Sequence, residues 1–536
     1  MTVDPIRPEA QALAVRGDTI LAVGTTKEIE PYIGSRTEVI DLQGKLAVPG
    51  FIEGHGHFMG IGEAKTNLDL MKVKNWDEIE ALVAEAIRRA EPGEWILGRG
   101  WHQEKWDKIP TGAVKGLPIH HSVSKLSPQN PVFLTHASGH ACFANAKAME
   151  LAGVTRETPN PPGGEIVKDR RGNPIGVFRE TAQRLIGEAL AKDRARRSSE
   201  ELEVQARKQA ELAMQDCLSK GITSFQDAGA SFETIDFLKK LAEEGKLRLR
   251  LYIMVREDND RLAQLLLQYK TINRSDGRLT VRAIKRTIDG ALGSHGAWLL
   301  EPYSDLPGST GFNTAGIEGV TQTAELAIQH GFQLCVHAIG DRANREVLNI
   351  YEKIFQEHSD QEDLRWRIEH AQHLHAEDIP RFAQLGVIAS MQAIHCTSDG
   401  PWVPKRLGEK RAQEGAYVWQ KLTRSGAIVT NGTDAPVEDV DPIACFYASV
   451  SRKLNDETVF YPEQRMSREQ ALKSYTLNGA YAAFEEDIKG SLTVGKLADI
   501  TVLSKDIMTI PEDEIRSARV LYTIVGGKVM YRAADN

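Results

Sequence analysis

Apolar segments of strand length recur through most of this chain, and helical patterns separate them. They are the run that ends at His57, then Gly221–Asp227, Arg248–Val255, Val281–Asp289, Phe332–His337, Arg365–His370, Val387–Gln392 and Ile428–Asp434. Buried-type strands alternating with helices are the pattern of βα units on a parallel sheet. Eight such units define an α/β fold of the (β/α)8, or TIM, barrel type, whose functional side chains sit at the C-terminal ends of the strands.

Five of the eight segments carry a candidate metal ligand at that end. The first reads Val48-Pro49-Gly50-Phe51-Ile52-Glu53-Gly54-His55-Gly56-His57. On a strand, period two puts both imidazoles on one face, and neutral imidazole suits zinc and its neighbours. In isolation the pair is equally well read as a strand end with two surface histidines. The fourth segment alternates so that Lys285, Thr287 and Asp289 share a face. A lysine aimed into a packed barrel is costly as a bare ammonium, so it either pairs with a carboxylate or changes its chemistry. The fifth closes on His337, the sixth on Glu369-His370, and the eighth on Thr433-Asp434-Ala435-Pro436. Asp434 suits a general base or a metal ligand. Because Glu369 alternates with His370, it is expected to face outside the barrel in a structural role. Each residue alone has a bland explanation; their recurrence at the strand ends of one barrel is the signal.

The 536 residues exceed one small core, and a large barrel with additions accounts for them. Residues 10–48 are β-rich, with a hairpin around Gly17-Asp18 and a strand pair Val39–Leu42 and Lys45–Pro49 across Gln43-Gly44. Residues 499–531 have the same texture, with a hairpin signal at Gly526-Gly527. One small composite β-sandwich is expected from residues 1–48 and 490–536, around a barrel over 49–489. Residues 65–210 form a long polar interruption, read as an insertion after the first barrel strand that caps the site. It holds helical periods near Asp77–Arg89 and Glu201–Leu218.

A net charge of −8 argues against a nucleic-acid or anionic-membrane partner, and no apolar run approaches a membrane span. Five scattered cysteines without a Cys-x-x-Cys pair, and no secretory signal, point to a cytoplasmic protein. A small-molecule substrate is the expected partner, with a homodimer as the base-rate state.

These segments, with Gly100-Trp101-His102, Gly139–Asn145, Gly163–Ile166, Lys285–Gly293, His337–Asp341, Ile368–Gln372, Thr476–Ala482 and Gly490–Asp499, resemble the amidohydrolase superfamily of metal-dependent hydrolases. The similarity is to the branch containing N-substituted formamide deformylase and the YtcJ-like proteins. Members of that branch usually begin with a further strand before the segment matching Thr2-Val3-Asp4, so this β-sandwich is expected to lack an edge strand. The resemblance implies that His55 and His57 bind one divalent metal, His337 and His370 a second, and that Lys285 bridges them as a CO2-derived carbamate. A single-metal version uses part of the set, and zinc is the expected ion. Asp434 would ligate the first metal, accept a proton from the bridging water and pass it to a leaving nitrogen. The implied reaction is hydrolysis of a C–N bond in an amide, N-substituted formamide or carbamate. Ester, carbamothioate or deamination chemistry is the alternative on the same site, and a non-catalytic regulatory barrel the alternative of another class. Substrate contacts are expected from Trp101, His102, His140, Asp289, His295, Arg342 and His395; packing or surface roles are the competing explanations for each.

Overall fold

The computed structural model describes residues 1–534. Its centre is a parallel sheet of eight strands paired in sequence order. These are β1 (Phe51–Gly56), β2 (Ile222–Ala230), β3 (Arg250–Val255), β4 (Leu279–Thr287), β5 (Gln333–Ala338), β6 (Arg367–His370), β7 (Ile388–Met391) and β8 (Val429–Asn431). Every residue of β1, β3, β5, β6, β7 and β8 is buried, as expected for strands covered on both faces. The helices carry the complementary pattern. In Phe232–Glu243, capped by the Ser231 side chain, Ile235, Leu238, Leu241 and Ala242 form the buried stripe.

The barrel closes where β8 returns to β1. His55 accepts from the Asp434 N–H at 2.8 Å, and the His57 N–H donates to the Ala435 carbonyl at 2.7 Å. Glu53, fully buried, accepts from the Thr433 N–H at 2.6 Å and from its hydroxyl at 3.1 Å. The approach is so close that a β-carbon on Gly54 would lie 2.5 Å from the Asn431 carbonyl oxygen. Glycine is required there by space.

Between β1 and β2 the chain builds a six-stranded sheet in the order Leu68–Asp69, Ile96–Trp101, Val132–His136, Ala141–Ala144, Pro174–Glu180, Gly164–Lys168. The polar interruption is therefore a folded layer. One apolar cluster gathers around Trp76, Trp101 and Phe143, another around Trp95, Cys142 and Phe178. Its strands are short and interrupted by Gly98 and Gly100, which hides them in a periodicity reading. The expected helices appear at Trp76–Ile87 and Ser199–Ser219; Ser198 and Glu201 form a capping box at the start of the second.

The two chain ends meet in a four-stranded sheet ordered Lys528–Arg532, Val520–Val525, Ile500–Leu503, Leu46–Pro49, with the hairpin Ala12–Arg16/Thr19–Gly24 packed beside it. One expectation is corrected. Gln43 and Gly44 do turn, with φ of 49° and 75°, but Val39–Leu42 forms no strand. Leu46–Pro49 pairs instead with Ile500–Leu503 and has Val48 fully buried, whereas Val39 is 62% exposed. No described helix is long and apolar enough to cross a membrane.

A buried ion pair ties this sheet to the barrel. Arg250, the first residue of β3, meets Asp499 through Nε at 2.7 Å and Nη2 at 3.0 Å, and the Gly526 N–H donates to the same carboxylate. Burial raises the Asp499 pKa, but the Arg250 guanidinium outweighs it and leaves the carboxyl below its ordinary value. A depressed folded-state pKa stabilises above the unfolded value, and the contribution is lost as pH falls through the folded one. Asp499→Ala strands a buried guanidinium, so a loss of about 3–5 kcal/mol is expected in urea denaturation at neutral pH. A loss under about 1 kcal/mol would show that the pair does not anchor the sheet.

Candidate metal centre

At the C-terminal mouth of the barrel, imidazoles from four segments surround Asp434. His55 Nδ1 is hydrogen-bonded to the Glu369 carboxylate, which lies 2.7 Å from Arg367 Nε. Arg367 also donates to the Gly54 carbonyl at 2.7 Å and to the Ser390 hydroxyl at 2.9 Å. With Nδ1 committed, His55 presents Nε2 to the Asp434 Oδ1 at 3.6 Å and to the Lys285 Nζ at 3.4 Å. His57 Nε2 is 3.2 Å from the same Asp434 oxygen. His370 is held by Gln392 Oε1 at 2.6 Å on Nδ1, and its ring lies 4.7 Å from that of His55 and 4.5 Å from that of His337. His395 stacks parallel to His370, 13° apart.

Glu369 corrects the sequence expectation. It is fully buried inside the barrel and orients His55. Alternation fails because His370 and Ala371 have φ of 75° and 44°, so the strand twists at its end and consecutive side chains both turn inward. Gln392, which orients His370, was also missed; no short-range pattern marks either partner.

Burial drives the His337 and His370 imidazoles well below their ordinary pKa, so both rings are neutral at neutral pH. Burial alone would raise Asp434, but the hydrogen bond from His57 and the neighbouring imidazoles hold it well below the carboxylate range. Asp434 adopts φ 56°, a left-handed conformation that aspartate tolerates better than most residues. Burial lowers Lys285 to about 8.

The donor set fits a divalent metal. In each of two triads, His55–His57–Asp434 and His370–His395–Asp434, the candidate ligand atoms lie within 4.8 Å of one another. Neutral nitrogen plus carboxylate is a zinc-type set. The buried Nε2 atoms of His337 and His395 make no hydrogen bond.

The seven expected substrate contacts separate into two groups. His102, His140 and His395 line one cavity with His337, His370, Asp434, Trp402 and Asp399. His140 is fixed there by Glu180, 2.7 Å from Nδ1. The other four are placed elsewhere. Trp101 is wholly buried in the insertion, its indole N–H bonded to the Leu134 carbonyl at 2.9 Å. Asp289 accepts from the Trp298, Ile339 and Gly340 N–H groups at 2.8–3.0 Å and organises the loop after β5; burial raises it to about 7. His295 pairs with Asp305 at 3.1 Å. Arg342, on helix Asp341–Glu357, pairs with Glu346 at 2.7 Å.

Comparison with known proteins agrees with this architecture. Residues 38–531 match the amidohydrolase family, and the chain belongs to it. The protein LONG AFTER FAR-RED 3 of Arabidopsis thaliana is 33% identical over 99% of this chain and 90% of its own length. N-substituted formamide deformylase of Arthrobacter pascens is 28% identical over 99% and 96%. An uncharacterized metal-dependent hydrolase from Pyrococcus horikoshii has the same fold, with a TM-score of 0.73 and 25% identity over 94% of this chain and 95% of that one.

If Glu369 sets the His55 tautomer, Glu369→Gln weakens zinc binding about 10–100-fold. Equilibrium dialysis against a zinc buffer measures this, with far-UV circular dichroism as the folding control. Unchanged affinity in a folded variant would remove the role.

Proposed function

We propose that this protein is a metal-dependent hydrolase of C–N bonds in small amides, with N-substituted formamides the leading substrate class. The observation that carries the reading is the convergence of His55, His57 and His370 on Asp434, with His55 and His370 oriented by partners on Nδ1. The similarity to a deformylase over nearly the whole chain supports the choice of bond.

In this reading His55, His57 and Asp434 hold the ion, and zinc suits them best. A divalent ion there lowers the pKa of water and polarises a carbonyl. Asp434 takes a proton from the attacking water and delivers it to the nitrogen as the C–N bond breaks. Its anionic state makes it competent for the first transfer. Lys285 is the candidate for carbamate formation. Burial favours its neutral amine, whose nitrogen bonds to the carbon of CO2 and then releases a proton, leaving an anion. That replaces a cation in a cationic centre with a group that metals stabilise.

The test is a screen of N-formyl, N-acyl and carbamate compounds with zinc-loaded protein. Chelation is expected to abolish turnover and zinc to restore it. Asp434→Asn is expected to lower kcat about 10²–10⁴-fold, the usual worth of a positioned acid–base group. Turnover that survives complete metal removal overturns the reading. A mass increase of 44 Da on Lys285, expected for a carbamate by elementary chemistry, should be lost in Lys285→Ala.

A further inference from the structure

We propose that Glu180 positions His140 so that His140 Nε2 donates a hydrogen bond to the carbonyl oxygen of the scissile amide, making His140 a catalytic residue supplied by the insertion. The inference rests on the hydrolase reading above and adds to it a group that holds no metal.

The insertion's sheet brings the two side chains together. Ala141–Ala144 and Pro174–Glu180 pair antiparallel, with Arg179 opposite Ala141. One step further along, the Glu180 N–H donates to the His140 carbonyl at 2.9 Å. Side chains directly opposed in such a pair are neighbours on one face, and Glu180 Oε2 lies 2.7 Å from His140 Nδ1. The backbone around His140 is pinned as well. Its N–H donates to the Ser138 hydroxyl at 3.1 Å, and the Gln183 amide donates to the Gly139 carbonyl at 3.1 Å.

Glu180 is held there at a cost. Its φ of 49° is left-handed, a conformation that glutamate rarely adopts. Its carboxylate is seated against the loop after β4, where a β-carbon on Gly290 or Gly296 would lie 2.1 Å from Oε1. That oxygen is buried without a hydrogen bond. A carboxylate that only braced the sheet would have both oxygens satisfied on an unstrained backbone. Strain and an unsatisfied polar atom gathered beside a reaction cavity mark a functional arrangement.

His140 carries that arrangement to the cavity it shares with Asp434. Its side chain is 18% accessible, against 3% for Glu180. Nδ1 is committed to the carboxylate, and Nε2 makes no hydrogen bond to a described residue, so Nε2 is the atom left for a ligand. Among the described residues His140 is the one ion-pair partner of Glu180. A buried carboxylate needs a compensating cation, and an imidazolium provides it while carrying an N–H on both nitrogens.

When water attacks the carbonyl carbon, the π electrons of C=O move onto oxygen. A preorganised N–H aimed at that oxygen stabilises the developing charge. The imidazole keeps its protons throughout, and the departing nitrogen takes its proton from Asp434, as proposed above.

The test is steady-state kinetics of the zinc-loaded full chain. N-phenylformamide is the probe, replaced by the best N-formyl compound of the screen above if it is not turned over. His140→Ala is expected to lower kcat about 10²–10³-fold, the usual worth of one oxyanion donor, with KM little changed. His140→Gln restores an N–H donor and is expected to recover part of that loss. Glu180→Gln can still accept from Nδ1 but lacks the charge, and is expected to lower kcat about 10–100-fold. The double variant is expected to be no slower than His140→Ala, because Glu180 acts only through the ring. Zinc content by mass spectrometry and near-ultraviolet circular dichroism establish that each variant is loaded and folded, and His140→Gln with Glu180→Gln carry the comparison if the alanine variant is not. Wild-type kcat in a folded, loaded His140 variant overturns the proposal and leaves the hydrolase reading intact. Losses that multiply in the double variant overturn the positioning role of Glu180. A zinc-loaded wild type that turns over no compound of the screen overturns both readings.

Discussion

The seam between the first and last barrel strands is the constraint on which the site depends. The His-x-His pair and Asp434 are about 380 positions apart in sequence, yet two backbone hydrogen bonds and the Glu53–Thr433 clamp hold their strands in contact. The carboxyl of Glu53 has no cationic partner; burial lifts it to about 8, although Thr433 donors act in the opposite direction. It therefore works as a hydrogen-bonding wedge at neutral pH more than as a charge. The absence of a side chain at Gly54 lets the seam close tightly enough to place Asp434 between His55 and His57.

Behind the imidazoles lies a rigid polar layer. Arg367 joins Glu369, the Gly54 carbonyl and Ser390, linking β6 to β1 and β7 through one fully buried guanidinium. Glu369 transmits that rigidity to His55, and Gln392 does the same for His370. Such outer contacts fix tautomer and ring direction before any ligand binds. The insertion adds the opposite wall: His102 and His140 reach the cavity from its sheet, while Arg99 bonds the Pro436 and Ala137 carbonyls and docks that sheet onto the barrel rim.

All eight barrel strands were legible because continuous apolar runs survive any local irregularity. The placement of the histidines, Lys285 and Asp434 towards one end of the barrel was legible because the strand direction fixes which end faces the site. Residues whose placement depends on a break in periodicity were not. Glu369 was assigned to the wrong face because nothing in Arg367–His370 announces the left-handed turn at His370. Loop residues behaved similarly. Trp101, Asp289 and His295 carry suitable chemistry, but their directions follow from distant partners: the Leu134 carbonyl, three backbone amides and Asp305. The insertion's sheet escaped notice because its strands are short and partly polar, and its two apolar clusters form only when it folds.

The edge pairing of Leu46–Pro49 with Ile500–Leu503 has a consequence for biogenesis. The N-terminal strand leaves the ribosome long before its partner exists. At a synthesis rate of about 5–20 residues per second, it waits roughly 20–90 s. Throughout that interval a β edge is open to wrong pairing. Asp434 likewise emerges well after the His-x-His strand, so the nascent chain displays its first two imidazoles without their carboxylate. Completion of the barrel seam and of the terminal sheet are thus late and nearly simultaneous events, and translation of the last hundred or so residues commits the whole molecule to its native topology.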